Sequence, residues 1–186
     1  EGIDGAGKST QVKRLHAYLR SKGIDVMSHR EPGGTLLGEA VREILLGYAH
    51  QNTVLGKEAE FLLFASARAE LMKTKVKLEL DLGKTVILDR FFASSIAYQG
   101  YGHGVNLALI DLVNQFVTKD ITADKVILLD IDPSTALARI KTPADRFEMS
   151  GEEFFRTVRQ GYLKYAEAHK EIVSIVDGSM SETEVF

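Results

Sequence analysis

The segment that most constrains this 186-residue chain is residues 2–9, whose sequence GIDGAGKS fits the pattern G-x-x-x-x-G-K-[S/T]. In such a loop, successive backbone N–H groups point at phosphate oxygens, and glycine lets the backbone come close to them. We expect Lys8 to reach the β- and γ-phosphates of a nucleotide and the hydroxyl of Ser9 to bind Mg²⁺. The residues expected to contact ATP are Gly2, Asp4, Gly5, Ala6, Gly7, Lys8, Ser9 and Thr10.

Beyond this loop, helical and strand-like patterns alternate along the chain. Apolar residues at helical spacing predict a helix from about residue 9 to 21, whereas residues 85–89 and 125–130 are short apolar runs that end in an acid. Strands that alternate with helices imply a parallel sheet covered on both faces. We therefore predict one α/β domain over residues 1–186, with a three-layer P-loop kinase fold in which helices flank a central parallel β-sheet. A short lid is expected over about residues 139–151.

Both ends of the chain lie inside predicted elements. A phosphate loop of this kind follows a buried strand, so we expect several apolar residues to precede Glu1 in the full protein. At the other end, residues 184–186 have the pattern of a helix, which we expect to continue.

Composition argues against several classes of protein. The net charge of −3 gives no overall basic field, so we expect no polymeric nucleic acid as a partner. No apolar stretch approaches the roughly 20 residues needed to cross a bilayer, so we expect no membrane association. The chain has no cysteine, which excludes disulfides and thiolate chemistry. These features favour a cytoplasmic protein.

A magnesium site in such a fold should include an acid at the end of a strand beside the phosphate loop. Asp89 and Asp130 both end apolar strand patterns, and either fits this role. We favour Asp89, together with Ser9, as the metal ligands. The reason is that Arg90 follows Asp89 directly, which would place a cation near phosphate next to an acid near the metal.

Arginine distinguishes this chain from other proteins that share such a loop. The chain lacks the Asn-Lys-x-Asp pattern of guanine-binding switches, and it has no basic stripe for nucleic acid. Arginine forms forked hydrogen bonds to phosphate oxygens, so a site for two phosphate-bearing substrates needs several arginines. The arginines near the expected acceptor space are Arg30, Arg68, Arg90, Arg139 and Arg146.

Four motifs in a fixed order extend this interpretation. They are EGIDGAGKST at residues 1–10, REPGGT at 30–35, FLLFASAR at 61–68 and DRFFASSIAYQG at 89–100. Together they resemble the bacterial thymidylate kinases (dTMP kinases) over essentially the whole chain, and DRFE at residues 145–148 resembles the end of that family's lid. The resemblance implies a nucleoside monophosphate kinase that moves a phosphoryl group in line from ATP-Mg²⁺ to dTMP. It implies no covalent intermediate, and dTDP as the product for dTTP synthesis.

The resemblance also implies roles for the residues around dTMP. Phe64 would stack on thymine, and Arg68, four residues further along the same helical face, would donate to a thymine carbonyl. Arg90 would clamp the dTMP phosphate, while Asp4 would accept from the sugar 3′-hydroxyl or help to place Arg90. Tyr98 would crowd the 2′ side of the sugar and so favour deoxyribose.

Further features implied by the resemblance surround this site. Ser95 would lie against the base, Gln99 would lie near the same pocket, and the Glu31-Pro32 bond would be a cis peptide beside the acceptor phosphate. Relatives are commonly homodimers, and the apolar residues 61–63 could leave a face free for a second copy.

Catalytic charge should come partly from the lid. The phosphate loop carries no cation before Lys8, yet negative charge spreads over the transferring phosphoryl group. The predicted catalytic cations are Lys8 and Arg90, followed in the lid by Arg146, Arg139 and Lys141 in order of preference.

Two alternatives stay open from the residues. One is a kinase for another nucleoside monophosphate or small metabolite, which would have a different base pocket. The other is a nucleotide-controlled module that hydrolyses ATP slowly and needs no monophosphate acceptor.

Overall fold

The computed structural model describes residues 1–47, 55–140, 147 and 150–186. The helices are α1 (Lys8–Ser21), α2 (Leu36–Gly47), α3 (Lys57–Leu71), α4 (Lys77–Asp81), α5 (Phe92–Ser95), α6 (Leu107–Thr118), α7 (Pro133–Arg139), α8 (Gly151–Ala168) and α9 (Glu182–Val185). The strands are β1 (Val26–Arg30), β2 (Thr85–Asp89), β3 (Val126–Asp130) and β4 (Val173–Asp177). Two segments are π-helical, Met72–Val76 between α3 and α4 and Ile96–Gly102 directly after α5.

The strands are parallel and alternate with helices, which confirms the predicted α/β class. β1 pairs with β2 so that Arg30 lies beside Asp89, and β3 pairs with β4 so that Asp130 lies beside Asp177. In the described part of the chain these are two separate two-stranded sheets, because β2 and β3 do not bond to each other. The expected central sheet is therefore present as two parallel pairs.

Glu1 lies between the two sheets. Its backbone nitrogen donates to the carbonyl of Ile127 at 2.8 Å, and its carbonyl accepts from the N–H of Leu129 at 3.0 Å, so its backbone follows β3. Its carboxylate accepts from the N–H of Phe91, two residues beyond the end of β2, at 2.7 Å. Glu1 thus links β3 to the segment that directly follows the carboxyl end of β2, and ligands of such sheets bind at the carboxyl ends of the strands.

The phosphate loop packs closely on β3 and α7, which explains two of its glycines. At Gly2, where φ is 134°, a Cβ atom would lie 2.5 Å from the carbonyl oxygen of Leu129. At Gly5, where φ is 80°, a Cβ atom would overlap the backbone of Ala136. Any larger residue at these positions would push the loop away from β3 or α7, and α1 begins at Lys8, near the end of the loop.

The largest hydrophobic core cluster brings α8 against the π-helical segment Ile96–Gly102. Tyr98 packs edge-on against Phe155 and Tyr162 of α8, with ring centroids 6.4 and 6.3 Å apart. A second cluster, around Leu71 and Phe91, lies next to β2. None of the helices in the described ranges is long and apolar enough to cross a membrane.

Candidate active site

Lys8 begins α1, and its ammonium group turns back over the phosphate loop. Its Nζ donates to the carbonyl of Ile3 at 2.8 Å and lies 3.8 Å from Oδ1 of Asp4. Burial, reinforced by the charge of Arg90, lowers the pKa of Lys8 to about 8. Lys8 is therefore a cation at neutral pH but releases its proton in mildly alkaline solution.

Ser9 and Asp89, the two residues predicted to bind the metal, lie in contact with each other. The hydroxyl of Ser9 donates to Oδ2 of Asp89 at 2.6 Å. Asp130, the other candidate, is held instead by Arg159, whose Nε and Nη2 donate to its two carboxylate oxygens at 2.7 and 2.8 Å. The described residues contain no group of three or more metal-ligating side chains. One hydroxyl and one carboxylate nevertheless fit Mg²⁺, which takes its other ligands from phosphates and water.

Arg139 lies at the end of α7, beside the turn that follows β4. Its Nη1 donates to the carbonyl of Gly178 at 2.8 Å, and its Nη2 donates to the carbonyl of Ser179 at 3.1 Å. The guanidinium therefore ties α7 to this turn. Its predicted role as a lid cation stays a prediction, and Lys141 and Arg146 lie outside the described residues.

Arg90 is held over the phosphate loop by Asp4. Arg90 adopts a φ of 74°, in the left-handed region that non-glycine residues rarely occupy. Its Nη2 forms an ion pair with Oδ1 of Asp4, while the hydroxyl of Tyr98 donates to Oδ2 at 2.8 Å. Burial raises the pKa of Asp4, but the charges of Arg90 and Lys8 outweigh it and lower that pKa to about 2. Of the two roles expected for Asp4, this geometry favours the placing of Arg90.

A chain of hydroxyl groups holds the other side of Arg90. Its Nη1 donates to the hydroxyls of Ser94 at 3.2 Å and Tyr162 at 3.1 Å. These two hydroxyls lie 2.7 Å apart, and that of Ser94 donates to Oε2 of Glu1 at 2.6 Å. The sequence predicts no role for Tyr162, because a tyrosine within a helix has the pattern of a core residue.

Two adjoining cavities surround Arg90. The one we call the acceptor cavity is lined by Asp4, Glu31, Pro32, Arg42, Leu45, Leu46, Phe64, Arg68, Arg90, Ser94, Ser95, Tyr98, Gln99 and Phe147. The one we call the phosphate-loop cavity is lined by Asp4, Gly5, Gly7, Lys8, Ser9, Thr10, Arg30, Glu31, Arg42, Asp89 and Arg90. Both cavities include Asp4, Glu31, Arg42 and Arg90, which mark the junction where groups bound in each cavity would meet.

Every residue predicted to bind the acceptor lines the acceptor cavity. Every residue predicted to contact ATP lines the phosphate-loop cavity, except Gly2 and Ala6. Gly2 and Ala6 belong to the phosphate loop but are buried. The carbonyl of Gly2 accepts from Arg90 at 3.2 Å, and Ala6 belongs to the main core cluster. Arg42 lines both cavities although no role was predicted for it, because the pattern of α2 does not distinguish it from a solvated charge on a helix surface.

Arg68 is buried and mostly engaged by protein groups. Its Nε donates to Oε2 of Glu31 at 2.7 Å, and its Nη1 donates to Ser95 at 3.1 Å and to Asn114 at 2.6 Å. Its Nη2 donates to the carbonyl of Phe91 at 3.1 Å, which leaves one N–H of Nη2 without a partner among the described residues. Burial raises the pKa of Glu31 to about 7, against the opposing charge of Arg68. The Glu31-Pro32 bond beside this pair is cis, as the resemblance implied.

The phosphate loop, the Ser9–Asp89 pair and the adjoining arginine-lined cavity define a P-loop kinase. A family model described as thymidylate kinase matches residues 1–186. A thymidylate kinase of Chlorobium luteolum is 48% identical over 179 residues, which cover 90% of this chain and 82% of that protein. One of Caldanaerobacter subterraneus subsp. tengcongensis is 43% identical over 179 residues, with coverage of 96% and 85%. The crystal structure of thymidylate kinase from Ehrlichia chaffeensis has a TM-score of 0.81 and 34% identity, covering 100% of this chain and 91% of that one. The chain belongs to the thymidylate kinase family.

The lowered pKa of Lys8 predicts that ATP binding weakens in alkaline solution. The protonated ammonium attracts phosphate oxygens, and above a pKa of about 8 the free protein loses this charge. We expect the dissociation constant of ATP-Mg²⁺, measured by isothermal titration calorimetry, to rise about tenfold from pH 7 to pH 9. The Lys8→Arg variant keeps its positive charge over this pH range, so its dissociation constant for ATP-Mg²⁺ should change by less than about twofold. The same pH dependence in both proteins would assign the effect to another group.

Proposed function

We propose that this chain transfers the γ-phosphoryl group of ATP to the 5′-phosphate of dTMP, giving ADP and dTDP for dTTP synthesis. The observation that carries the proposal is that the phosphate-loop cavity and the acceptor cavity meet at Asp4, Glu31, Arg42 and Arg90. A donor in one cavity and an acceptor phosphate in the other would bring their reacting atoms together at this arginine-lined junction. The relatives named thymidylate kinase, at 43% and 48% identity, support dTMP as the acceptor.

The proposed reaction depends on position and charge. The attacking oxygen of the dTMP phosphate is already anionic, so no general base is required, and the bond to ADP breaks as the new P–O bond forms in line. Lys8 would neutralise charge that develops on the transferring group, while Arg90 would orient the acceptor phosphate. Magnesium, held by Ser9 and Asp89 together with the ATP phosphates, would supply further charge neutralisation.

The base and the sugar would be recognised by the remaining residues of the acceptor cavity. Phe64, whose ring centroid lies 6.1 Å from that of Phe147, would offer an aromatic surface to thymine. The free N–H of Arg68 would donate to a thymine carbonyl. Tyr98 lies against the same cavity with its hydroxyl fixed on Asp4, so its ring is held where it would crowd a 2′-hydroxyl.

Lid cations complete the proposed mechanism. Arg146 and Lys141 would add positive charge over the transferring phosphoryl group once ATP is bound. Arg139 would contribute from the other side, because its guanidinium also lies 3.5 Å from the carbonyl of Gly5 in the phosphate loop. Closure of this segment would exclude water that could otherwise accept the phosphoryl group.

We further propose a cytoplasmic homodimer. Leu62 of α3 is 57% exposed, and Leu112 and Phe116 of the neighbouring helix α6 are 65% and 81% exposed, so these helices offer an apolar surface to a second copy. Phe61, in contrast, is buried. Of the apolar residues 61–63, Leu62 is therefore the one that we expect to contact a second copy. Light scattering after size-exclusion chromatography should give twice the mass of one chain, and a monomer at micromolar concentration would refute the dimer.

An acceptor panel tests the proposed reaction against both alternatives. With ADP release as the readout, dTMP should exceed dUMP modestly and dCMP strongly, since a methyl group in an apolar pocket contributes only about 1–3 kcal/mol. Lys8→Ala should abolish transfer while leaving the fold intact. Preference for another monophosphate would identify a different kinase, and ADP release that needs no acceptor would identify an ATPase module.

Tyr162→Phe tests the hydroxyl chain behind Arg90. The variant removes an acceptor at 3.1 Å from Nη1 of Arg90, so we expect KM for dTMP to rise about fivefold or more while KM for ATP stays constant. The control is Tyr165→Phe on the same helix, because the Tyr165 hydroxyl has no hydrogen-bond partner in the described ranges. If Tyr162→Phe changes both KM values equally, the hydroxyl supports the fold rather than Arg90.

A further inference from the structure

A buried acid lies behind the base-binding end of the acceptor cavity. Glu60 of α3 is only 1% exposed, and its Oε1 accepts from Nε2 of Gln99 at 2.7 Å. Nε2 of His103 lies 3.5 Å from the same oxygen. Gln99 is 2% exposed, and its backbone carbonyl accepts from the N–H of Val105 at 2.9 Å, so the π-helical segment that carries it is also fixed.

This contact determines which end of the Gln99 amide faces the cavity. A carboxylate accepts hydrogen bonds but donates none, so the amide must turn its NH₂ group towards Glu60. Gln99 lines the acceptor cavity, whereas Glu60 does not. The amide oxygen of Gln99, which has no hydrogen-bond partner among the described residues, is then the polar atom available to a ligand.

We propose that Glu60 is a specificity-determining positioning residue, which fixes the Gln99 amide so that an oxygen acceptor faces the acceptor base. This inference rests on the proposed function. Thymine carries a hydrogen on N3 and would donate it to this oxygen. Cytosine has an unprotonated acceptor at N3, so two acceptors would face each other, and neither would be satisfied.

Glu60 thereby adds a second point of discrimination to the one at Arg68. The free N–H of Arg68 suits a carbonyl at position 4 of the base and opposes an amino group there. Glutamine at position 60 could donate as well as accept, so the Gln99 amide could then turn over and present N–H to N3 of cytosine. A purely structural Glu60, which only joins α3 to the π-helical segment, would affect both acceptors equally.

The test is the ratio of kcat/KM for dTMP to that for dCMP in Glu60→Gln. We expect this ratio to fall about tenfold or more, because the acceptor–acceptor clash with cytosine is relieved while the bond to thymine is weakened. Glu58→Gln is the matched control, because Glu58 lies in the same first turn of α3 but is exposed. The dTMP-to-dCMP ratio of this variant should stay within about twofold of the wild-type ratio.

Gln99→Leu provides a second, independent variant. It removes the proposed acceptor, so kcat/KM should fall for dTMP more than for dCMP, and this variant decides the matter if Glu60→Gln does not fold. If wild type prefers dTMP but the dTMP-to-dCMP ratio of kcat/KM is unchanged in the folded variants, the proposed role of Glu60 is overturned and the proposed function is not. A wild-type protein that does not prefer dTMP overturns the proposed function instead, so the two failures are distinguishable.

Discussion

The ion pair between Asp4 and Arg90 is the interaction on which the rest of the site depends. Asp4 comes from the phosphate loop and Arg90 from the end of β2, so the pair joins the two elements that line the adjoining cavities. The charges of Arg90 and Lys8 overcome the effect of burial and lower the pKa of Asp4 to about 2, so the pair stays ionised at any physiological pH. The guanidinium is therefore held at the cavity junction before any ligand binds, and such preorganisation favours electrostatic catalysis.

The surroundings of the ion pair explain how the chain tolerates an unusual backbone at Arg90. A left-handed residue that is not glycine carries about 1–2 kcal/mol of strain. Hydrogen bonds from Arg90 to Ser94 and Tyr162, and from Ser94 to Glu1, supply compensating interactions. Glu1 also bonds to β3 through its backbone, so the same residue positions the phosphate loop and supports the arginine. Strain at a functional site is retained where the neighbouring structure determines it in this way.

Local spacing was enough to predict the parts of the site that lie close together in the chain. The phosphate loop places Lys8 and Ser9 by consecutive backbone geometry, and the strand pattern before Asp89 placed this acid beside Ser9 as expected. Glu60 and Tyr162 were missed for a physical reason. Glu60 is one of two acids in the first turn of α3, where either would suit the helix dipole, and only the tertiary approach of Gln99, 39 residues further on, distinguishes it from Glu58. The Ser94–Tyr162 contact spans 68 residues, so no local pattern reports it.

The proposed role of Arg90, held by Asp4, is to bind the phosphate of the acceptor. Calorimetric dissociation constants of dTMP and thymidine measure it most directly, because these ligands differ only in that phosphate. We expect wild type to bind dTMP more tightly than thymidine, and Arg90→Met to reduce this advantage by about tenfold or more while leaving thymidine affinity nearly unchanged. An undiminished preference for dTMP in a folded Arg90→Met variant would show that Arg90 does not bind the acceptor phosphate.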